Sequence, residues 1–546
     1  MRRLRISPGS LSARSASDGA AGPRSARPRS LPGRSSRALW ARLRSTARAT
    51  GVAALLGVIL LMGGCGADDE VSPPPNVVFI LLDTLRTDHL SSYGYPWTTS
   101  PTIDAVAQRG VLFEDCTAQA SWTLPSMISL LTGQPIFRSI YRLPDGLPMM
   151  PELFAQAGYR TGAMVANSAL AADRGFARGS QTYDVRQLKT AQWNAEDVTD
   201  KALAFLDAGD ERPFFLWAHY LDTHEPYTPP TRPFARRYNQ VFDDWEQQLI
   251  KDTIDGAPEN ERVALSAQRA RLAGEIDRYD GELLYLDGQL ARLFARLDEL
   301  GLTDNTLIVI AADHGETLFR RPEHPQRVLT TRAWRTEREL PMELTDYVKS
   351  GHAYWVYQEL VRTPLIIAGP GVRSRMTEAR GTKGGSGEAE DSPPGQGGAG
   401  RHDSGRRVSE SVSNLDLLPT LLGLAGLDVL DTPGRDLSSA LRSGSAVPAA
   451  EFVTSCSDSA TSARLPDGTK VILPDDKAIK NHGLVAELFQ LGRDPLERDP
   501  RPLGEQGQRL AQRLTEAMAA DPFAAWQGEA MDAETLQRLR ELGYLR

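Results

Sequence analysis

The sequence predicts an α/β fold: a mostly parallel central sheet flanked by helices, with a smaller C-terminal α+β subdomain. Two patterns predict it. Continuous apolar runs of five to seven residues have the composition of strands buried on both faces. Helical stretches separate those runs, as crossovers between parallel strands require. Asn76–Leu82 is the first such strand and ends at Asp83, which places a carboxylate where open α/β sheets bind ligands. Helical periodicity follows over Thr102–Arg109 and Met150–Gly158. Phe214–Ala218 is a second strand, followed by His219, and Leu307–Ala312 a third, followed by Asp313 and His314. Pro364–Ala368 is a fourth, and Asn414–Gly426 a compact apolar helix. Between them, Phe234–Ala273 reads as exposed helix and Arg320–Lys349 as an irregular insertion. Residues 374–411, rich in Gly, Ser, Glu and Arg, are too polar to order themselves. The expected organisation is a leader at 1–65, a tether at 66–75, a main α/β domain at 76–445 and a C-terminal subdomain with a terminal helix at 446–546.

Charge and composition narrow the function classes. The 546 residues are 41% hydrophobic, ample for a large core. Residues 1–50 hold twelve arginines and one acid, so the rest of the chain is more acidic than the total of −8 suggests. No basic field is left to attract phosphate backbones, which argues against a nucleic-acid partner. The apolar run Gly51–Met62 is too short for a comfortable membrane span, follows Arg42, Arg44 and Arg48, and stops at Gly63-Gly64-Cys65. This is the layout of an export signal, and Cys65 resembles the lipidated cysteine of a bacterial lipobox, although Met62 stands where Leu is usual. The protein is therefore expected in the cell envelope, held to the membrane by lipid at Cys65. A cleaved soluble form and an uncleaved anchor are the alternatives. The long stretch before the signal suggests a start codon further downstream. Cys116 and Cys456 either pair or remain buried thiols.

The most informative run is Ser121-Trp-Thr-Leu-Pro-Ser-Met-Ile-Ser-Leu-Leu-Thr-Gly133. It resembles the nucleophile signature of the sulfatase family, in which Cys or Ser-x-Pro-Ser-Arg leads into a helix ending in Leu-Thr-Gly. Asp313-His314-Gly315-Glu316 after an apolar strand resembles the second metal motif of the alkaline phosphatase superfamily, to which sulfatases belong. Asn76–Tyr95, Phe214–Tyr227, Gly351-His352 before Tyr357–Pro364, Gly369-Pro370-Gly371 and Glu487–Pro495 extend the likeness over roughly residues 75–500.

That resemblance implies a metal-dependent ester hydrolase acting on a small-molecule, glycan or lipid ester. Asp83, Asp313, His314 and Thr123 would hold one divalent ion. Thr123 would be the nucleophile, and His224, His352 and His219 would bind the anion and protonate the leaving group. Each has a structural alternative: a helix cap for Thr123, turn residues for the acids and ordinary core positions for the imidazoles. Two departures matter. Thr84 stands where sulfatases carry a second acid, which suits zinc or manganese better than an oxygen-only calcium cage, although calcium remains open. Met127 stands where they carry Arg, and Arg86 and Lys470 are candidates to supply that charge. Trp122 and Tyr227 are candidate pocket walls or core aromatics, and His324 lies in the insertion. Above all, Cys or Ser at position 123 could be oxidised to formylglycine, and Thr cannot. Three readings follow: a threonine-nucleophile hydrolase or transferase of phosphoric esters or phosphonates, a sulfuric ester hydrolase using Thr123 directly, or a degenerate relative that binds glycans without turnover.

Overall fold

The computed structural model describes residues 73–138, 140–186, 193–321, 325–348, 351–374 and 405–521. Cys65 with its leader, His324, residues 375–404 and those beyond 521 lie outside the described residues. The central sheet has nine strands: β1 (Asn76–Leu82), β2 (Val111–Thr117), β3 (Arg160–Val165), β4 (Thr182–Val185), β5 (Phe214–Tyr220), β6 (Thr306–Ala311), β7 (Arg362–Ala368), β8 (Arg406–Val408) and β9 (Val412–Ser413). Their spatial order is β4-β3-β5-β1-β6-β7-β2-β8, with β9 also beside β2. Every pairing is parallel except the two made by β7. The expected mostly parallel α/β sheet is what forms.

β1 shows why its sequence is apolar throughout. Val77, Phe79 and Leu81 join the core on one face, and Val78, Ile80 and Leu82 the core on the other. A strand covered on both sides has no solvent face to make polar. The first face is closed by helices Thr123–Thr132, Met150–Gln156 and Leu417–Leu424. The second is closed by Pro101–Arg109, Ala195–Asp207 and the long helix Arg269–Glu299. That helix contributes Leu283, Leu286, Leu290, Leu293 and Leu297, a three-and-four spacing that puts all five on one stripe.

Three expectations need correction. Phe234–Ala273 is helical but not merely exposed: helices Asp244–Gly256 and Glu259–Ala267 bury Ile250, Ile254 and Leu265 against Leu272 and Ile276 of the long helix. Arg320–Lys349 is not irregular, since Pro325–Thr336 is a helix tied to its neighbour by the Arg332–Glu261 ion pair. Within 374–411, residues Arg406–Val408 form β8 beside β2, because an edge strand supplies the backbone partners that local composition cannot.

A second sheet, β10 (Val453–Cys456), β11 (Ala460–Arg464), β12 (Thr469–Pro474) and β13 (Glu487–Gln490), is an antiparallel meander. Helix Gly504–Ala519 covers it through Leu510 and Leu514, packed on Ala463 and Val471. Cys116 and Cys456 are both buried free thiols.

Candidate active site and metal centre

The ends of β1 and β6, the strand β5 and the start of helix Thr123–Thr132 converge on one point. Asp83 follows β1, and Asp313 and His314 follow β6, its parallel neighbour. His219 lies within β5 rather than after it, paired in register with Leu81 of β1. Thr123 is the first residue of its helix, whose N-cap is Trp122. The cap reading of Thr123 therefore fails by one position, and its hydroxyl turns inward. Ser126 one turn-face further pins that helix to the motif by donating to the Asp313 carbonyl (2.6 Å). Gly315 permits the close turn after His314: a Cβ there would meet the Glu359 carbonyl oxygen at 2.1 Å.

Thr123 Oγ1 lies 3.5 Å from Asp83 Oδ2 and 3.3 Å from His314 Nε2. His314 Nε2 is 3.6 Å from Asp83 Oδ1 and 3.3 Å from Asp313 Oδ2. His219 Nε2 is 3.7 Å from Asp83 Oδ2. His314 Nδ1 is 3.0 Å from the Gly315 carbonyl, which assigns its proton to Nδ1 and leaves the Nε2 lone pair aimed at the carboxylates. Asp313 Oδ1 accepts from the His314 and Thr84 amides (2.9 and 3.3 Å). Asp83 Oδ1, Asp313 Oδ2 and His219 Nε2 are buried without a hydrogen-bond partner.

The electrostatics are those of a site awaiting positive charge. Burial, reinforced by the facing Asp313 carboxylate, raises Asp83. Burial pushes Asp313 up to about 7. It pushes His219 down to about 4 and His314 down to about 3, so neither imidazole offsets the acids as a cation. Asp83, His219 and Asp313 each present a ligand atom within 4.8 Å of the others. Two carboxylates, neutral imidazoles and a hydroxyl, with orphaned buried atoms among them, fit a divalent metal ion.

The model of the Sulfatase family matches residues 75–427. The chain belongs to the sulfatase family. It is 25% identical over 210 residues to an N-acetylglucosamine-6-O-sulfatase of Bacteroides thetaiotaomicron, covering 34% of this chain and 37% of that one. It is 22% identical over 404 residues to an ulvan-active sulfatase of Formosa agariphila, covering 67% and 65%. The matched segments thus span about a third and just under two thirds of these relatives' own lengths. Among solved structures it resembles one in complex with its substrate D-glucosamine-2-N,6-O-disulfate, at TM-score 0.56, 19% identity and coverage of 82% and 98%. It resembles a phosphonate monoester hydrolase of Agrobacterium radiobacter at TM-score 0.55, 18% identity and coverage of 82% and 96%. These likenesses concern the fold.

Within this sulfatase-family site, the other expected histidines border the cluster. The His352 ring is 4.5 Å from that of His314 and 5.0 Å from that of His224. Burial, then the neighbouring His224, lowers His352 well below its usual range. His224 Nδ1 faces the Glu225 carbonyl at 2.7 Å. Asp83, Thr123, His219, Asp313 and His314 are fully buried, whereas His224 is 4% exposed and the His352 side chain 7%.

The two candidate charges are committed elsewhere. Arg86 is buried, paired with Asp88, and donates to the Glu316 carbonyl. Lys470 is buried in an ion pair with Glu497 at 2.7 Å. Met127 itself is core. Trp122 packs in the same core beside Tyr141, and Tyr227 packs edge-on against Tyr279 in the helical insertion. Two residues escape sequence reasoning. Asn167 accepts from the Ala169 amide and so turns its Nδ2 toward Asp83 Oδ2 (2.8 Å) and Thr123 Oγ1 (3.5 Å). Glu316 Oε2 meets His352 Nδ1 at 3.0 Å. Asn167 reads locally as an ordinary cap of a short turn, while Glu316 reads only as part of the Asp313-His314-Gly315-Glu316 motif.

Proposed function

We propose that this protein is a metal-dependent hydrolase of sulfuric or phosphoric esters or phosphonates in which Thr123 replaces formylglycine as the nucleophile. The observation that carries this reading is the placement of Thr123 Oγ1 between Asp83 Oδ2, His314 Nε2 and Asn167 Nδ2 at a helix N-terminus. A helix N-terminus favours negative charge on that oxygen. Asp83, Asp313, His314 and Thr123 would hold the divalent ion, which supplies charge neutralisation for the transferring group and a lower pKa for the hydroxyl. Thr123 Oγ1 bonds to phosphorus or sulfur as the bond to the leaving oxygen breaks. Its own proton passes to Asp83 Oδ2, a carboxylate oxygen 3.5 Å away. The departing oxygen takes a proton from His224, at the edge of the cluster.

Release separates this protein from formylglycine enzymes. A formylglycine hydrate expels its product through a second hydroxyl. Threonine carries a methyl group in that place, so water or an acceptor alcohol must attack the phosphorus or sulfur and return a proton to Oγ1. The set Asp83, Thr123, Asp313 and His314 resembles that of threonine-nucleophile phosphoethanolamine and glycerophosphate transferases, and that likeness favours phosphate diester, phosphonate or phosphoglycerol-type substrates. The sulfatase names of the two sequence relatives support the second reading, sulfuric ester cleavage through the same threonine. Thr84 and Met127 favour a glycan-binding relic, and the otherwise intact ligand set weighs against it. The leader composition supports a cell-envelope location on a lipid at Cys65.

The test is turnover of aryl sulfate, phosphate diester and phosphonate monoester by the metal-loaded protein and by Thr123→Ala. Turnover on any of them that is lost in the variant supports the reading, and the substrate names the class. Equal rates in both proteins would remove Thr123 from the chemistry. No turnover on any substrate, with no bound metal, would favour the relic.

A further inference from the structure

We infer that His219 is a ligand of the metal, standing in for the second acid that this chain lacks at Thr84. The inference rests on the metal reading above and deepens it by assigning a fifth protein ligand and a preference among ions.

Thr84 cannot serve. It sits at φ 58°, with its hydroxyl 2.6 Å from the Asp83 carbonyl and 2.5 Å from that of Thr223. The hydroxyl is occupied by these two carbonyls, one on each of two loops. A coordination place next to Asp83 is therefore open to another element, and β5 runs beside β1 with His219 at the level of Leu81. The His219 ring is wholly buried, its Nε2 has no hydrogen-bond partner, and that atom is 3.7 Å from Asp83 Oδ2. An unpartnered imidazole nitrogen in a closed apolar sheet is costly to keep unless something accepts its lone pair.

The spacing fits a shared ion. Ligand atoms each about 2.1 Å from one ion can stand no more than about 4.2 Å from one another. The contacts of His314 Nε2 with Thr123 Oγ1, Asp313 Oδ2 and Asp83 Oδ1 are 3.3, 3.3 and 3.6 Å, and His219 Nε2 stands 3.7 Å from the other Asp83 oxygen, Oδ2, so that Asp83 bridges the two imidazoles. Hydrogen-bonded pairs would be closer, at about 2.7–3.0 Å. Two imidazoles and two carboxylates shift the site from calcium toward zinc or manganese.

The experiment uses the full chain, stripped with a chelator and titrated with Zn²⁺, Mn²⁺ and Ca²⁺ against a chromophoric competitor, with Co²⁺ as a spectroscopic probe. His219→Ala and His219→Gln run beside Asp313→Asn, and far-UV circular dichroism of the stripped forms checks folding. The expected result is one ion per chain for the wild type and a loss of roughly 100-fold or more in Zn²⁺ affinity for both His219 variants, since even an outer partner of a ligand costs about 10–100-fold. The Co²⁺ visible spectrum should change as one nitrogen leaves the coordination sphere. A third variant, His219→Asp, should gain Ca²⁺ affinity relative to Zn²⁺. If the His219 variants fold, bind as the wild type does and keep its Co²⁺ spectrum while Asp313→Asn loses the ion, His219 is no ligand and the functional reading stands. If the wild type binds no divalent ion, both fall.

Discussion

Replacing Lys470 with methionine separates two roles for this lysine. As a substitute for the arginine missing at Met127, it would raise KM when removed and leave stability alone. Its surroundings say the opposite. Lys470 on β12 and Glu497 are each 1% exposed, with Nζ and Oε1 2.7 Å apart. Nζ also donates to the Val356 carbonyl, and Glu497 Oε2 accepts the Gln358 amide. The pair thus ties the second sheet to the segment leading from His352 into β7. Methionine fills the volume but leaves a buried carboxylate without its cation and a buried carbonyl without its donor. Breaking such a pair costs about 3–5 kcal/mol. Unfolding entropy of about 2.1 cal/mol/K per residue over some 450 residues makes that only a few degrees of Tm, so urea titration is the sharper assay. The double variant Lys470→Met/Glu497→Gln should recover more than half of the loss, because no charge remains buried. KM should stay within about twofold, since the lysine does not touch the site. A fall in substrate affinity with unchanged urea midpoint would refute the structural role.

Other consequences are testable in the same preparations. Asn167→Ala should lower kcat/KM by roughly 100-fold, the scale for losing one oriented donor at a reacting oxygen, while the urea midpoint stays nearly constant; unchanged kinetics would remove Asn167 from the site. Asp222 accepts the Ala195 amide at the start of helix Ala195–Asp207, and burial pushes it up to about 7 from 3.8. Because the folded state then binds the proton more tightly than the unfolded chain, this group makes stability fall as pH rises from about 4 to about 7. Asp222→Asn should flatten that slope in urea titrations at pH 5 and pH 7.5, and an identical slope would contradict the assignment. Cys65→Ala should move the protein from the membrane to the soluble fraction; unchanged membrane association would argue for another anchor.

The strands and the reactive residues at their ends were readable because both are local. β1, β5, β6 and β7 announce themselves as apolar runs, since strands covered on both faces tolerate nothing else. Asp83, Thr123, Asp313 and His314 follow directly from such runs or begin a helix, so their convergence could be anticipated from the parallel architecture. The short edge strands β4, β8 and β9 carry no such signal, because their order comes from a neighbour rather than from their own composition.

The chain itself therefore determines the α/β class, the family and the threonine at position 123 of its signature run, all of which depend on residue identity and local pattern. Tertiary structure alone decides which remote side chains share the site. His219 faces Asp83 only because β5 lies beside β1 in that register. Asn167 reaches Thr123 only because the Ala169 amide holds its oxygen and turns its nitrogen inward. Lys470 and Arg86 look equally available as charges in the sequence, and both prove committed to carboxylates elsewhere. Burial explains the difference: a charge inside a protein goes to the nearest partner that can neutralise it, and only the packed chain specifies which partner that is.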